Sequence, residues 1–143
     1  MFNPSRDQVR GFFIDTWRKH TEGTVLVGLE PVAVDVLSLH PEYHALLLLG
    51  DAAGTLHREW TPEDGAVNPF LHLSMHLAIE EQLAIDQPRG IVAAFATLMA
   101  RTRDRHAAVH AALECLGEML WRSQRDNAPP DGEAYLECVR RSG

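Results

Sequence analysis

Apolar residues recur at intervals of three and four along most of the chain, the spacing that places them on one face of an α-helix. Between these runs stand proline, glycine or short polar residues, which are typical of helix ends. The pattern predicts seven helices, at residues 4–20, 31–39, 41–49, 70–85, 89–102, 105–125 and from 131 through 139. Only residues 24–27 resemble a strand, and no hairpin turn accompanies them. We therefore expect an all-α fold.

Four of the predicted helices begin at an asparagine or aspartate, whose side chain can cap the amides of a first turn. Asn3 and Asn68 each precede a proline, which is favoured at the first helical position, while Asp104 and Asp131 precede the last two helices. Residues 51–67 show little periodicity and predict a surface segment with one capped turn at 61–64. These features together predict a single-domain helical bundle of six to seven helices over residues 1–143.

Histidine spacing is the most unusual feature of the chain. Six of the eight histidines form (i, i+4) pairs, and these are His40 with His44, His72 with His76, and His106 with His110. Two residues at this spacing lie on one face of a helix, where their imidazoles can converge on a metal ion. In two of the pairs a glutamate follows four residues later, so the pattern HxxxHxxxE occurs twice.

The repeated pattern predicts a divalent-metal site for zinc, iron or manganese. Its predicted ligands are His72, His76, His106 and His110, with Glu80 and Glu114 as further ligands or as hydrogen-bond acceptors behind them. On a helical wheel the first pair points toward the core, whereas the second pair lies at the edge of the apolar stripe. The two helices are predicted to run parallel with the pairs at one level.

The alternative is that these histidines are neutral core residues that donate a proton to a carboxylate or carbonyl. The protein would then be a non-catalytic interaction or scaffold module. Pro41 weakens the case for His40 and His44 as ligands, because it interrupts their helix. Ser74 lies on the face opposite His72, so the sequence offers no Ser-His pair, and enzymatic activity stays open.

Charge and hydropathy exclude two classes of partner. Thirteen basic and twenty acidic side chains give a net charge of −7, which disfavours nucleic acid. The longest apolar run, residues 91–96, is far shorter than the roughly 20 residues of a membrane helix. A protein partner, a small molecule and a homo-oligomer all remain open.

The cysteines and the N-terminal residues predict the compartment. Cys115 and Cys138 form no CxxC pair, so we expect neither a disulfide framework nor a zinc ribbon, and Cys115 is expected nearer the outward face than the core. The polar N-terminal residues do not resemble a signal peptide. A reducing cytoplasm is therefore predicted.

Several stretches carry a family resemblance. The run Asn-Pro-Phe-Leu-His-Leu-Ser-Met-His at 68–76 continues to Gln82, and with residues 2–6, 40–44 and 110–121 it is similar to a bacterial family described as domain of unknown function 1841. The resemblance covers nearly the whole chain. It implies one helical domain from a bacterial cytoplasm and brings no activity with it.

Overall fold

The computed structural model describes residues 6–49 and 68–142, and within these ranges the secondary structure is entirely helical. The seven α-helices are α1 (Arg6–Glu22), α2 (Glu30–Ser38), α3 (His44–Leu49), α4 (Pro69–Ile85), α5 (Ile91–Thr102), α6 (Arg105–Asp126) and α7 (Gly132–Arg141). A 3-10 helix, Pro41–Tyr43, leads into α3. The predicted all-α class and helix number are confirmed, while the predicted surface segment lies outside the described residues.

Three of the four predicted capping residues cap the helices that follow them, and the fourth, Asn3, lies outside the described residues. Each side chain accepts from an amide of the first turn: Asn68 from Phe70, Asp104 from His106, and Asp131 from Ala134. Such a cap satisfies an amide that has no partner within the helix, and each contributes about 1 kcal/mol. None of the described helices combines the length and the apolar character that a bilayer span requires.

The chain divides into two compact units, residues 1–77 and residues 78–143, with the division inside α4. In the first unit α1, α2, α3 and the start of α4 share an apolar core made of Phe13, Trp17, Ala33, Val36, Leu37, Leu47, Phe70, Leu73 and Leu77. The Arg10 side chain is also buried there, with its guanidinium 5.4 Å from the centre of the Phe70 ring. The extent of one domain over residues 1–143 stays a prediction.

In the second unit α5, α6 and α7 pack against one another. Their larger buried apolar residues include Ile91, Phe95, Leu98, Val109, Leu113, Leu116, Tyr135, Leu136 and Val139. The hydroxyl of Tyr135 donates to Oε1 of Gln82 at 2.6 Å, which satisfies the one polar atom of this ring. Burial raises the pKa of Tyr135 to about 12, so the phenol is neutral.

A disulfide joins Cys115 of α6 to Cys138 of α7, and the expectation of two reduced cysteines is wrong. After the break at Pro129 and Pro130 the chain turns back, and α7 packs on α6 with the two Cα atoms 5.8 Å apart. That separation lies within the range a disulfide requires. Cys115 is also only 3% exposed, which corrects the prediction that it faces outward.

Candidate metal centre

His40 lies at the corner between α2 and the 3-10 helix that follows it. Pro41 cannot continue α2, and the chain turns there while the backbone amide of His40 donates to the carbonyl of Leu37 at 3.0 Å. The turn carries the His40 side chain inward, where it is only 2% exposed. The proline that weakened the case for His40 in the sequence therefore ends the helix at the point that buries this ring.

The His40 ring is held in one orientation by two contacts. Its Nδ1 lies 2.8 Å from the carbonyl oxygen of Val36. Because a carbonyl can only accept, this contact assigns the proton to Nδ1 and leaves the lone pair on Nε2. On the other side the ring stacks on Tyr43, with centroids 5.7 Å apart and planes 7° from parallel.

The (i, i+4) pair on α4 brings two further imidazoles to the same place. The Nε2 atoms of His72 and His76 lie 3.1 Å apart, and their rings are 4.7 Å apart between centroids. His76 is buried and His72 is half-buried, whereas Glu81 and Ile85 on the other side of the helix are exposed. The predicted inward orientation of this pair is confirmed.

The three rings form a compact cluster, called here the His40 cluster, that consists of His40, His72 and His76. The His40 ring centroid is 5.1 Å from that of His72 and 4.5 Å from that of His76. One ring nitrogen of each residue lies within 4.8 Å of those of the other two.

The dimensions of the His40 cluster can be compared with those of a metal site. For tetrahedral zinc with Zn–N distances of about 2.0–2.1 Å, ligand nitrogens are about 3.3 Å apart and imidazole centroids about 5 Å apart. The cluster has nitrogens 3.1 Å apart on α4 and centroids separated by 4.5 to 5.1 Å. Small shifts of the three rings would therefore suffice to hold one ion.

Glu80, a predicted ligand on α4, has a different partner. Both carboxylate oxygens accept from the guanidinium of Arg105, at 2.8 and 2.9 Å. This two-point pair raises the pKa of Arg105. A Glu80 oxygen could reach a metal only after giving up one of these charge-assisted hydrogen bonds.

The second HxxxHxxxE pattern lies on α6. The rings of His106 and His110 are half-buried and 4.2 Å apart between centroids, so the predicted position at the edge of the core is confirmed. Glu114, one turn further along, is exposed. Among the described residues neither Glu80, Glu114 nor His106 belongs to a group that could hold a metal, and their role as ligands stays a prediction.

His44, the (i, i+4) partner of His40, is engaged elsewhere. Its Nε2 lies 2.7 Å from the carbonyl oxygen of Leu37, and its ring stacks on Trp17 at 4.2 Å between centroids. The ring is therefore a second partner of a carbonyl at the end of α2, which also accepts from the backbone amide of His40. His44 ties α1, α2 and α3 together and is not part of the His40 cluster.

His40 is the candidate ligand that the sequence pattern undervalued. The signal was its place in an (i, i+4) pair, but the two members of that pair diverge because a 3-10 helix separates them. Helical spacing alone would have placed His40 and His44 together.

Comparison with known proteins agrees with the resemblance seen in the sequence. A family model described as "Domain of unknown function (DUF1841)" matches residues 5–141. The chain belongs to this family. No curated protein and no solved structure matches the chain. The family description assigns no activity, so any functional conclusion for this DUF1841 member depends on its own side chains.

Proposed function

We propose that the protein binds one divalent transition-metal ion through the His40 cluster. The single observation that carries the proposal is the convergence of three buried or half-buried imidazoles at metal-site dimensions. The repeated pattern in the sequence predicts His110 as a further ligand, and that prediction is tested separately below.

The hydrogen bond from His40 supports this proposal. Metal-bound histidines commonly donate their second ring nitrogen to a carbonyl or carboxylate, which fixes both the tautomer and the orientation of the ring. The contact of His40 Nδ1 with the Val36 carbonyl has this form. The ligand atom of His40 would then be Nε2, the same nitrogen through which His72 and His76 approach each other.

The donor set also selects among metals. Neutral imidazole suits zinc, iron, copper and nickel, whereas manganese prefers sites that are rich in carboxylate and water. With Glu80 held by Arg105, the proposed set contains nitrogen alone. Of the metals expected from the sequence, we place zinc first, iron second and manganese last.

The number of ligands determines what the site would do. Four histidines would close a tetrahedral site, which is typical of a structural metal or of metal storage. Three histidines would leave one position for water, which zinc can activate for hydrolysis. Enzymatic activity would follow only from the second arrangement.

The proposal is tested by metal content. Protein prepared without a histidine tag is loaded with zinc, freed of excess metal by gel filtration and analysed by elemental mass spectrometry. We expect about one zinc per chain, and none in His76→Ala. His20→Ala, which removes an exposed histidine, is the matched control and should retain the ion. Absence of bound metal, with no thermal shift on adding zinc, iron or manganese, would contradict the proposal.

Substitution of His110 determines the ligand number. If His110 is a ligand, as the sequence predicts, His110→Ala weakens zinc binding by roughly 100-fold or more, because losing a ligand costs more than the roughly 10- to 100-fold typical of losing a group that only orients one. If binding is unchanged, the site consists of the His40 cluster with a position open to water. The two outcomes separate a closed site from a hydrolytic one.

A second function is favoured by the hydrogen bonds within the His40 cluster. His72 and His76 contact each other through Nε2, and His40 contacts a carbonyl, as in packed core histidines without metal. The protein would then be an interaction or scaffold module. Under this alternative, replacing His72 and His76 by alanine lowers stability equally with and without metal, and a chelator has no effect.

The cytoplasm is the compartment we propose. It is the compartment that the sequence predicts, although a persistent disulfide such as Cys115–Cys138 is unusual there. Cell fractionation with an antibody against the native chain tests the proposal. Recovery in the membrane or secreted fraction would contradict it.

A further inference from the structure

The disulfide between Cys115 and Cys138 opens onto a cavity between α6 and α7. Its volume is about 570 Å³, and both cysteines contribute to its wall. Cavities of roughly 300–1,000 Å³ are typical of small-molecule sites. A disulfide whose only role is to join two helices needs no such space beside it.

The lining of this cavity carries both signs of charge. The cavity is lined by three arginines and four acidic residues, which are Arg122, Arg125, Arg141, Glu118, Asp126, Asp131 and Glu137. Neighbours of opposite sign are paired along the helices, as Arg122 is with Glu118 at 2.7 Å and Arg141 with Glu137 at 2.7 Å. A ligand with ammonium and carboxylate groups together would complement this lining better than an anion or a cation alone.

The two sulfur-bearing residues differ in accessibility. Cys115 is 3% exposed and belongs to the 22-residue helix α6, whereas Cys138 is half-buried on the 10-residue helix α7. Thiol–disulfide exchange requires the attacking thiolate to approach one sulfur while the other leaves. The exposure favours Cys138 as the sulfur attacked and Cys115 as the leaving group.

Ser142 supports the same assignment. Its Oγ lies 3.3 Å from the sulfur of Cys115 and donates to the carbonyl of Cys138 at 2.7 Å. When the bond opens, rotation of this hydroxyl would allow it to donate to the Cys115 thiolate.

We propose that this cavity is a thiol–disulfide exchange site for a small zwitterionic thiol, such as a short thiol-bearing peptide. In the first step the thiolate of the ligand forms a bond to the sulfur of Cys138, and the electron pair of the Cys115–Cys138 bond leaves with Cys115. In the second step another ligand thiolate attacks the mixed disulfide at the ligand's sulfur and releases Cys138. Two ligand thiols are oxidised to one disulfide, the protein is reduced to a dithiol, and the two protons of the ligand thiols end on the cysteines or in solvent.

The experiment compares two probes on the intact protein. Oxidised protein is mixed with reduced glutathione or with 2-mercaptoethanol at equal thiolate concentration, quenched with acid and analysed by intact mass and peptide mapping. We expect the mixed disulfide on Cys138 and a rate about tenfold higher for glutathione than for the uncharged thiol. Circular dichroism before the quench confirms that the protein is still folded.

Variants test whether the charges of the cavity recognise the thiol. The double substitution Arg122→Gln with Arg141→Gln should bring the glutathione rate close to that of 2-mercaptoethanol. Arg140→Gln is the matched control, because Arg140 lies next to Arg141 in α7 and does not line the cavity. This variant should still react faster with glutathione than with 2-mercaptoethanol. The comparison of the two thiols on the unchanged protein tests the proposal even if the double variant does not fold.

Four outcomes would overturn the proposal. They are equal rates for the two thiols, an adduct on Cys115, a disulfide that is reduced only after unfolding, and cysteines that are free in the isolated protein and are not oxidised by glutathione disulfide. Equal rates would mean that the cavity does not recognise the thiol. An adduct on Cys115 would mean that Cys115 is the sulfur attacked. The other two outcomes would mean that the disulfide is purely structural or does not form.

Discussion

Helices α4 and α6 carry the same HxxxHxxxE pattern, yet the structure gives the two copies different surroundings. On α4, His72 and His76 face a third imidazole from the corner after α2, and Glu80 is paired with Arg105. On α6, His106 and His110 lie at the edge of the core, and the glutamate one turn later is exposed. The local spacing is identical, so it does not decide which pair becomes part of a cluster.

The difference follows from the geometry of helices. Spacing of four residues places two side chains on one face about 6 Å apart along the axis, and it specifies nothing about what lies opposite. Opposite the α4 pair is His40, which reaches that position because Pro41 ends α2 and turns the chain. A metal centre here is therefore proposed where a turn from elsewhere in the chain meets a helical pair.

The largest expected effect separates the two copies of the pattern directly. Replacing His72 and His76 by alanine should abolish zinc binding, a loss of more than about 100-fold, because two of the proposed ligands are removed. Replacing His106 by alanine should leave affinity within about threefold. Isothermal titration with zinc measures both, and a loss in His106→Ala as large as in the double variant would break the comparison in favour of the ligand set predicted from sequence.

The next effect contrasts the two histidines of the corner after α2. His40→Ala should weaken zinc binding by about 100-fold, because loss of a ligand costs at least as much as loss of a group that only orients one, while the α4 pair remains. His44→Ala should keep the metal but lower the free energy of unfolding by about 1–2 kcal/mol, since it removes a hydrogen bond to Leu37 and the stack on Trp17. Isothermal titration with zinc measures the affinity of both variants, and urea unfolding measures their stability. If His44→Ala lost zinc and His40→Ala kept it, His44 would be the ligand.

A smaller effect concerns the capped starts of α4 and α6. Asn68→Ala and Asp104→Ala should each lower the free energy of unfolding by about 1 kcal/mol, because each leaves first-turn amides without an acceptor. The Asn68 variant should in addition weaken zinc binding slightly, because His72 lies in the first turns of α4. Thermal unfolding without zinc measures the loss of helix capping, and the additional stability gained on adding zinc measures the change in zinc binding. If the Asn68 variant gains as much stability from zinc as the unchanged protein, the start of α4 has no influence on the site.

The smallest effect tests the role of Glu80. Glu80→Gln should lower stability by no more than about 1 kcal/mol, since its partner Arg105 is half exposed and such pairs contribute little. Zinc affinity should stay within about threefold, because the carboxylate is not a proposed ligand. A decrease of about 100-fold in the same titration would restore Glu80 to the ligand set.

The sequence predicted the local features of this protein well. Capping residues such as Asp104 and Asp131, and breaks such as Pro41, act within a few residues, so the helices lie close to their predicted positions. The inward face of α4 could be read for the same reason, because apolar residues and His76 share it.

Features that depend on distant residues were not predicted. Cys115 and Cys138 are 23 residues apart, and only the return of α7 along α6 brings their Cα atoms to 5.8 Å. His40 meets the α4 pair through a turn whose direction no periodicity encodes. Glu80 likewise pairs with Arg105, 25 residues away, which a helical wheel of α4 cannot show.

Cobalt loading tests the central claim most directly, because four-coordinate cobalt(II) absorbs visible light far more strongly than six-coordinate cobalt(II). Metal-free protein is titrated with cobalt(II), and the unchanged chain is compared with His40→Ala and with His20→Ala. We expect saturation at about one equivalent with intense visible absorption, which His20→Ala retains and His40→Ala loses or strongly weakens. A spectrum no stronger than that of cobalt in buffer, or one that His40→Ala leaves unchanged, would contradict it.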